Sequence, residues 1–329
     1  MTQTDLAVIV LAAGMGTRMN SKIQKILHPV GGQPMVMHVV QASRQVSQHP
    51  ITMVVGKIGG ERVEALVGAD AHYVVQKEQL GTGHATRVAA DLLKGKSKQV
   101  AVTYGDMPLL RPETLQKLAQ MQAESGAAVV LTTVMGDPSS SFGRIARNAE
   151  GKIQEIVEVA EAKRRPNSEA LLNIRELNVG VYCFDADFLW ANLPDLPLRQ
   201  ARSGVEYYLT DMIEIAVKKG RLVEAVEIED ADECLGAGTR AELIPVDRAF
   251  RQREINKWLA AGVTIIDPAT TYIDPQVTIG RDTVIWPNSY LRGTTTIGED
   301  CTIGPNVILT DTNIQDGTTL EMKNVSGKG

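Results

Sequence analysis

The amino-acid sequence predicts an α/β domain with a mostly parallel sheet, followed by a linker helix and a short β-solenoid. Two observations carry this prediction. Short, fully apolar runs alternate with helix-like segments up to about residue 230, and from Ile273 an apolar residue recurs every six positions. Strands buried on both faces and separated by helices are typical of a parallel sheet covered on both sides. We therefore expect a first domain over residues 1–230, a linker with a helix over 231–262, and a truncated solenoid over 263–329.

The predicted strands of the first domain are runs of apolar and β-branched residues: Ala7–Ala12, Ile51–Val55, Tyr73–Val75, Val100–Tyr104, Val129–Thr133 and Gly180–Phe184. The predicted helices lie between them: Pro34–Val46, His84–Leu93, Pro112–Glu124 and Tyr207–Lys219. The runs Gly143–Arg147 and Lys152–Glu158 flank a turn and predict a hairpin added to the sheet.

The second half of the chain has a different periodicity. Residues 239–261 predict a helix with Pro245 near its start and Gly262 at its stop. The residues of the six-residue period are Ile273, Ile279, Ile285, Leu291, Ile297, Ile303 and Leu309. Such a period indicates hexapeptide repeats, each forming one face of a triangular coil, and this number gives roughly two coils. The period breaks at Ile314, and we expect the small, polar tail at 324–329 to be loose.

Composition excludes several classes of function. The net charge of -5 and the pI of about 5.7 argue against a nucleic-acid surface, which would normally be basic. The three cysteines show no CxxC spacing, so neither a disulfide framework nor a zinc site is indicated, and a reducing compartment fits. The apolar run at 7–12 is too short to span a membrane and lacks a basic flank. We expect a cytoplasmic protein with no nucleic-acid or membrane partner.

A glycine-rich turn follows the first strand, in Leu11-Ala-Ala-Gly-Met-Gly-Thr-Arg18. Small residues after a buried strand let backbone N–H groups approach a polyphosphate, and Arg18 and Lys25 can add positive charge there. Taken alone, this segment could also be a tight strand-to-helix connection.

Two other predicted strands are followed by polar residues that could contact a nucleotide. Gln76 begins the segment Gln76-Lys-Glu-Gln-Leu-Gly-Thr-Gly-His84, where its amide could both donate to and accept from the N–H and C=O edge of uracil. Gly81 would let the base approach the backbone. Asp106 follows a strand in Tyr104-Gly-Asp-Met-Pro-Leu109, where a single carboxylate suits one Mg²⁺ that also binds phosphates. Taken alone, the segment from Gln76 to His84 could be a polar loop with turn glycines, and Asp106 could be a helix cap or a turn residue. Together with the glycine-rich turn they predict a nucleotide site, because the carboxyl ends of parallel strands meet at one edge.

Downstream polar groups suit a sugar with hydroxyl and amide groups. They lie in Gly143-Arg-Ile145, Ile156-Val-Glu158, Asn178-Val-Gly180 and Glu206–Asp211.

These residues resemble the family of bacterial bifunctional UDP-N-acetylglucosamine pyrophosphorylases/glucosamine-1-phosphate acetyltransferases. The resemblance rests on LAAGMGTRM, KILHPVGGQPM, QLGTGHA, YGDMPLL, FGRI, IVE, NVG and EYYLTD, and extends into the first solenoid coils. It implies a Rossmann-like nucleotidyltransferase domain over residues 1–230 and a left-handed β-helix after it. The implied reaction joins UTP to N-acetylglucosamine-1-phosphate, with Mg²⁺ as cofactor.

The resemblance also implies roles for residues at matching positions. Those that would hold the nucleoside are Leu11, Ala12, Ala13, Gly14, Gln76, Gly81 and Thr82. Arg18 and Lys25 would face the phosphates, and Asp106 would bind the metal. Those that would line the sugar side are Tyr104, Gly105, Gly143, Glu158 and Asn178. The implied catalytic residues are Arg18, Lys25 and Asp106.

The chain departs from the family pattern in two places. Gly238 stands where the family has a metal-binding asparagine, so a second ligand is missing unless Asp230, Asp232 or Glu233 substitutes. The stretch after Glu158 also lacks the family's lysine. Because the family's acetyltransferase site lies on later coils, we expect no acetyltransferase activity.

Two rival functions stay open. One is a nucleotidyltransferase of other specificity, for example for dTTP and glucose-1-phosphate, and the other is a catalytically weak scaffold that binds nucleotide sugars. None of the histidines is required for the implied reaction, and we expect His28 and His84 to be structural. Hexapeptide solenoids usually associate as trimers because their coils leave flat faces to bury, so we expect a homotrimer.

Overall fold

The structure is a computed structural model that describes residues 5–201 and 204–321. The chain divides into two compact units. The first contains the described residues up to Leu27 together with Met35–Thr239, and the second contains His28–Pro34 and the described residues from Arg240 onwards. Nothing in the sequence spacing indicated that residues 28–34 group with the second unit.

A mixed sheet forms the centre of the first unit. Its described strands are β1 (Leu6–Ala12), β2 (Ile51–Gly56), β3 (Ala71–Gln76), β4 (Gln99–Tyr104), β5 (Val129–Met135), β6 (Arg144–Arg147), β7 (Ile153–Val157), β8 (Glu176–Asp185) and β9 (Val223–Glu227). The strand order is β9-β5-β8-β4-β1-β2-β3, and β8 alone in this path runs antiparallel to its neighbours. The predicted mostly parallel sheet is therefore confirmed.

Helices and short helical turns connect the strands. They are α1 (Met35–Arg44), α2 (Gly60–Val67), α3 (Gly81–Arg87), α4 (Ala90–Leu93), α5 (Pro112–Ser125), α6 (Val159–Ala162), α7 (Ser168–Leu172), α8 (Ala186–Asn192) and α9 (Asp211–Lys218). The single helix predicted over 84–93 is wrong, because α3 and α4 are separate. Strand β9 was not predicted, since Val223-Glu-Ala-Val-Glu227 alternates charged and apolar residues instead of forming an apolar run.

The core lies on both faces of the sheet. All seven residues of β1 are buried, and successive side chains point to opposite faces. Val8 and Val10 belong to one hydrophobic cluster, whereas Ala7 and Ile9 belong to the other. Burial on both faces explains why this strand is an uninterrupted apolar run.

Two hairpins extend this unit. The predicted one is confirmed, because β6 pairs antiparallel with β7, and Leu177 of β8 joins it to the sheet through Arg144. A second hairpin, Leu198–Ala201 with Gly204–Tyr207, was not predicted. It lies against the start of α3, where the backbone N–H of Tyr207 donates to the carbonyl of Leu80 at 2.8 Å.

The later part of the second unit begins with a long helix, α10 (Arg240–Ala260), which matches the helix predicted over residues 239–261. Gly262 follows it with φ of 89°, a left-handed conformation that favours glycine and ends the helix. The turn at 28–34 is attached to α10 through Gly31, whose N–H donates to Asp247 Oδ1 at 2.8 Å.

The solenoid has three parallel sheets, one per face. Their strands are Thr264–Ile265, Val284–Ile285, Thr302–Ile303 and Thr319–Leu320; Tyr272–Ile273, Tyr290–Arg292 and Ile308–Thr310; and Thr278–Ile279, Thr296–Ile297 and Asn313–Ile314. Every predicted residue of the six-residue period is buried. The expected count of roughly two coils is wrong, since three or four strands stack on each face. The early Ile314 still pairs with Ile297, so a coil one residue shorter absorbs the break.

The tail prediction at 324–329 lies outside the described residues. Across the described part of the chain, no helix combines the length and apolar character that a bilayer span needs.

Candidate functional site

The carboxyl ends of four neighbouring strands meet at one edge of the sheet. In register, Leu11 of β1 lies beside Tyr104 of β4, and Gly56 of β2 lies beside Gln76 of β3. A cavity of about 310 Å³ opens at this edge. Its lining residues are Leu11, Ala12, Ala13, Gly14, Lys25, Ile26, Gln76, Gln79, Gly81, Thr82, Ala85, Tyr104, Asp106 and Glu206. The glycine-rich turn, the glutamine segment and the aspartate predicted from the sequence thus share one cleft.

Lys25 and Asp106 form an ion pair at this cavity. The Lys25 ammonium group donates to Asp106 Oδ2. The side chains of Lys25 and Asp106 are 25% and 20% exposed. Partial burial strengthens their interaction relative to a surface pair, and both remain accessible from the cavity. The structure therefore places one cation and one hard oxygen ligand side by side.

The glycine-rich turn is held close to this pair by backbone packing. Gly16 adopts φ of 69°, and a Cβ there would lie 2.5 Å from Lys25 Cβ. The N–H of Gly105 donates to the carbonyl of Leu11 at 3.0 Å, which ties the end of β4 to the end of β1. Gly105 itself does not line the cavity.

Gln76 is a nearly buried amide at the end of β3, with 4% of its surface exposed. Its Nε2 donates to the carbonyl of Gly81 at 3.1 Å and lies 3.1 Å from His84 Nδ1. Burial, followed by the positive charge of Arg87, lowers the pKa of His84. The ring is therefore neutral at neutral pH.

Two further lining residues, Thr82 and Tyr104, are positioned by contacts outside the glycine-rich turn. The hydroxyl of Thr82 accepts a hydrogen bond from the N–H of Leu209 at 3.0 Å. Burial is the main cause that raises the pKa of Tyr104 well above its usual range, and the carboxylates of Glu158 and Asp106 add to it. Its phenol therefore stays neutral.

Three residues predicted for the sugar side form a neighbouring cluster instead of lining the cavity. The N–H of Asn178 donates to the carbonyl of Gly143 at 2.9 Å, and a Cβ on Gly143 would lie 3.4 Å from Glu158 Oε1. Burial is the main cause that raises the pKa of Glu158, with Glu161 and Asp211 adding to it. The cluster adjoins the cavity through Gly180, whose N–H donates to Asn178 Oδ1 at 3.2 Å and where a Cβ would lie 2.8 Å from the ring of Tyr104.

Arg18 is exposed, in the short turn Thr17–Met19, and is not among the lining residues. Conversely, sequence reasoning did not single out Gln79, and it assigned Glu206 to a segment suited to the sugar, whereas both residues line this cavity. Gln79 Nε2 donates to the carbonyl of Ala13 at 2.8 Å and so links the glutamine segment to the glycine-rich turn. Its position three residues after Gln76 was a usable signal, whereas Glu206 reaches the cavity only through the unpredicted hairpin.

Two of the three acidic residues considered as substitutes for the second metal ligand, Asp230 and Glu233, are engaged elsewhere. Glu233 Oε2 accepts from the N–H of Arg111 at 3.0 Å and from Thr114 Oγ1 at 2.7 Å, and Asp230 pairs with the Arg111 guanidinium. Within residues 5–201 and 204–321, no cluster of three or more His, Cys, Asp or Glu side chains could hold a metal ion. These contacts do not support Asp230 or Glu233 as a second ligand, and Asp106 is the cavity carboxylate that is paired with the cationic group of Lys25.

Comparison with family models identifies both parts of the chain. The MobA-like NTP transferase domain matches residues 8–177, which is more than half of the chain. The bacterial transferase hexapeptide, in six repeats, matches residues 272–321. The curated protein from Brevibacillus brevis named bifunctional protein GlmU is 44% identical over 96% of this chain and 67% of its own length. The chain belongs to the GlmU family.

Other GlmU relatives agree with this assignment. Those from Trichlorobacter lovleyi and Exiguobacterium sibiricum are each 42% identical, over 97% and 87% of this chain. The chain spans 68% and 62% of their lengths, so it matches about two thirds of these relatives.

Solved structures show the same fold at lower identity. A CMP:2-keto-3-deoxy-manno-octonic acid synthetase complexed with CTP gives a TM-score of 0.55 at 16% identity, over 76% of this chain and all of that one. A putative glucose-1-phosphate thymidylyltransferase from Bacillus anthracis gives 0.56 at 20% identity, over 74% and 94%.

Proposed function

We propose that this chain transfers a uridylyl group from UTP to N-acetylglucosamine-1-phosphate, giving UDP-N-acetylglucosamine and pyrophosphate. The observation that carries the proposal is the Lys25–Asp106 ion pair at a cavity lined by the glycine-rich turn and by Gln76. Membership of the GlmU family and the NTP transferase domain support it.

The proposed reaction needs no protein nucleophile. A phosphate oxygen of the sugar phosphate attacks the α-phosphorus of UTP, the bond from that phosphorus to the bridging oxygen breaks, and pyrophosphate leaves with the electron pair. The main obstacle is repulsion between two polyanions. Two unit charges ~4 Å apart repel by ~4 kcal/mol at an effective dielectric of ~20. Lys25 and the backbone N–H groups of the turn would offset this repulsion and hold the triphosphate in line.

A divalent metal, which we propose to be Mg²⁺, fits the residues present. Asp106 offers a hard carboxylate oxygen accessible from the cavity, and Mg²⁺ commonly takes one or two carboxylates together with waters and substrate phosphates. When bound, the ion would neutralise phosphate charge and stabilise the leaving group. Lys25, paired with Asp106, would orient that carboxylate.

We assign the cluster of Gly143, Glu158 and Asn178 to the sugar. Glu158 is a half-buried carboxylate next to the cavity, and such an acceptor is suited to sugar hydroxyl donors that replace its lost hydration. Tyr104, which stays neutral, would separate the sugar from the phosphates.

Release of pyrophosphate from UTP and N-acetylglucosamine-1-phosphate, with and without Mg²⁺, tests the proposal. Lys25→Ala should reduce the rate strongly, whereas Lys152→Ala should leave it unchanged. Lys152 is the matched control because it also pairs with a carboxylate, that of Glu150 at 3.4 Å, but on an exposed turn. Faster turnover of dTTP with glucose-1-phosphate than of the proposed pair would favour the other specificity.

A second candidate function is a scaffold that binds nucleotide sugars without turning them over. It is favoured by Gly238, which supplies no side-chain oxygen, and by the engagement of Asp230 and Glu233 with Arg111. Tight binding of UDP-N-acetylglucosamine with no turnover at saturating Mg²⁺ would support it.

A homotrimer through the solenoid is also a proposal. Ile266, Trp286 and Ile308 are exposed hydrophobic side chains on the coils, at 49%, 41% and 63% exposure. Sedimentation equilibrium of the chain would test it, and a monomer mass would contradict it.

A further inference from the structure

The orientation of the Gln76 amide is fixed by its neighbours. The carbonyl of Gly81 can only accept a hydrogen bond, so the Gln76 atom 3.1 Å from it must be the NH₂ group. The same NH₂ group lies 3.1 Å from His84 Nδ1. Because an NH₂ group can only donate, Nδ1 must accept and carry no proton. Both Gln76 N–H donors are thereby used within the protein.

The remaining polar atom of Gln76 is its carbonyl oxygen, Oε1. Among the described residues, none donates a hydrogen bond to Oε1. Oε1 is also absent from the fully buried polar atoms that lack a partner, so it keeps some exposure to solvent. Gln76 lines the cavity, so Oε1 is the atom available to a ligand there. The site therefore presents an acceptor at this position, and not a donor.

From this geometry we infer that His84 is a positioning residue that makes the site select imide bases, uracil or thymine, over cytosine. The inference rests on the proposed function, with Gln76 contacting the base. Uracil and thymine carry an N–H at ring position 3, which an acceptor such as Oε1 binds. Cytosine has an unprotonated nitrogen there, so two acceptors would face each other, at the cost of an unsatisfied buried group.

Without the acceptor at His84 Nδ1, only Gly81 would hold the amide. The amide could then rotate and present its NH₂ group to cytosine. The groups that set the charge of His84 favour its role: burial and Arg87 lower its pKa, while a backbone hydrogen bond and the charge of Glu78 raise it. The ring is thus neutral, with Nδ1 able to accept, at neutral pH.

The test compares UTP with CTP in wild type and three variants. His84→Leu removes the acceptor. His84→Gln is a second variant of this kind, because the carbonyl oxygen of glutamine lies one bond further from the backbone than Nδ1 and so leaves the Nδ1 position without an acceptor. His84→Asn is the conservative control, since its Oδ1 can take the place of Nδ1. The measurements are kcat/KM for pyrophosphate release with N-acetylglucosamine-1-phosphate, Kd for UTP and CTP by calorimetry, and thermal unfolding to verify the fold.

We expect the UTP/CTP ratio, in kcat/KM and in affinity, to fall by about tenfold in His84→Leu and His84→Gln, and to recover in His84→Asn. Equal losses for both nucleotides, with the ratio unchanged, would show that His84 only supports the fold and would overturn the inference. Wild type that binds UTP in preference to CTP but turns neither over would overturn the proposed reaction alone, and the Kd ratios would then decide the role of His84. Wild type that binds no pyrimidine nucleotide would overturn both.

Discussion

Lys25 and Asp106 are 81 residues apart in the chain, yet their side chains form an ion pair at the edge where β1 and β4 end. Lys25 follows the glycine-rich turn, and its stem packs against Gly16. Asp106 follows β4, which pairs with β1 in parallel. The pair thus depends on the sheet register, and five predictions follow from it and from neighbouring features.

Neutralising either member of this pair should slow pyrophosphate release. We expect Lys25→Ala and Asp106→Asn each to lower kcat/KM by roughly 10²- to 10³-fold, because a cation and a metal-binding carboxylate stabilise the same developing charge. The double variant should lose much less than the product of the single losses, since the two residues act as a unit. Asp195→Asn, which breaks an exposed pair with Lys219, is the control and should have wild-type activity. Strictly multiplicative losses would contradict this coupling.

Restoring an amide at position 238 tests the effect of the missing ligand. If a second metal ligand limits the reaction, Gly238→Asn should lower the Mg²⁺ concentration needed for half-maximal rate by about tenfold, in line with the typical value of one ligand interaction. Gly238→Ala adds a side chain without an oxygen and separates a metal effect from a steric one. A Mg²⁺ titration of each variant provides the measurement. No gain with asparagine would show that the glycine is harmless to metal binding.

The ionised carboxylate of Glu158 should lower the free energy of unfolding at neutral pH. Burial raises its pKa in the folded state, so folding favours the protonated form, and the cost is present above the unfolded-state value of 4.5 and disappears as pH falls below it. Glu158→Gln should therefore raise the Tm at pH 7.5 by roughly 2 °C and have no such effect near pH 4. It should also raise KM for the sugar phosphate.

The opposite sign is expected for Glu155, which lies on β7, the strand that ends just before Glu158. A hydrogen bond from Arg165 is the main cause that lowers its pKa, so its stabilising contribution is present above pH 4.5 and is lost as pH falls. Glu155→Gln should lower the Tm at pH 7.5. Equal shifts for the two variants in thermal scans would refute the assigned cause.

The contact of the second hairpin with Gly81 should be sensitive to a single methyl group. Gly81 has φ of 90°, and a Cβ there would lie 2.6 Å from the carbonyl oxygen of Tyr207. Gly81→Ala should lower the free energy of unfolding by about 3 kcal/mol, the sum of backbone strain and overpacking, and weaken UTP binding. Gly95→Ala is the matched control, because its φ is 74° but nothing lies near its Cβ. A loss of only about 1 kcal/mol is expected there, and an equal loss in both would contradict the steric contribution.

Much of the first unit could be predicted from its periodicity. Strands such as β1 are buried on both faces, so they are apolar throughout, and residues after them fall at the carboxyl edge. That relationship was sufficient to predict that Gln76, Lys25 and Asp106 share one site, and all three line the same cavity. It could not indicate β9, whose charged residues alternate with apolar ones, or the hairpin ending at Tyr207, which brings Glu206 to the cavity.

The sequence alone determined which residues are buried along the solenoid and which strand ends carry polar groups, because both follow from local periodicity. Only the tertiary structure decided that Ile314 stays in register despite the broken period and that Glu233 is engaged with Arg111 and Thr114. It also decided which atom of Gln76 is left for a ligand. These outcomes depend on contacts between residues far apart in the chain, and such contacts leave no periodic pattern in the sequence.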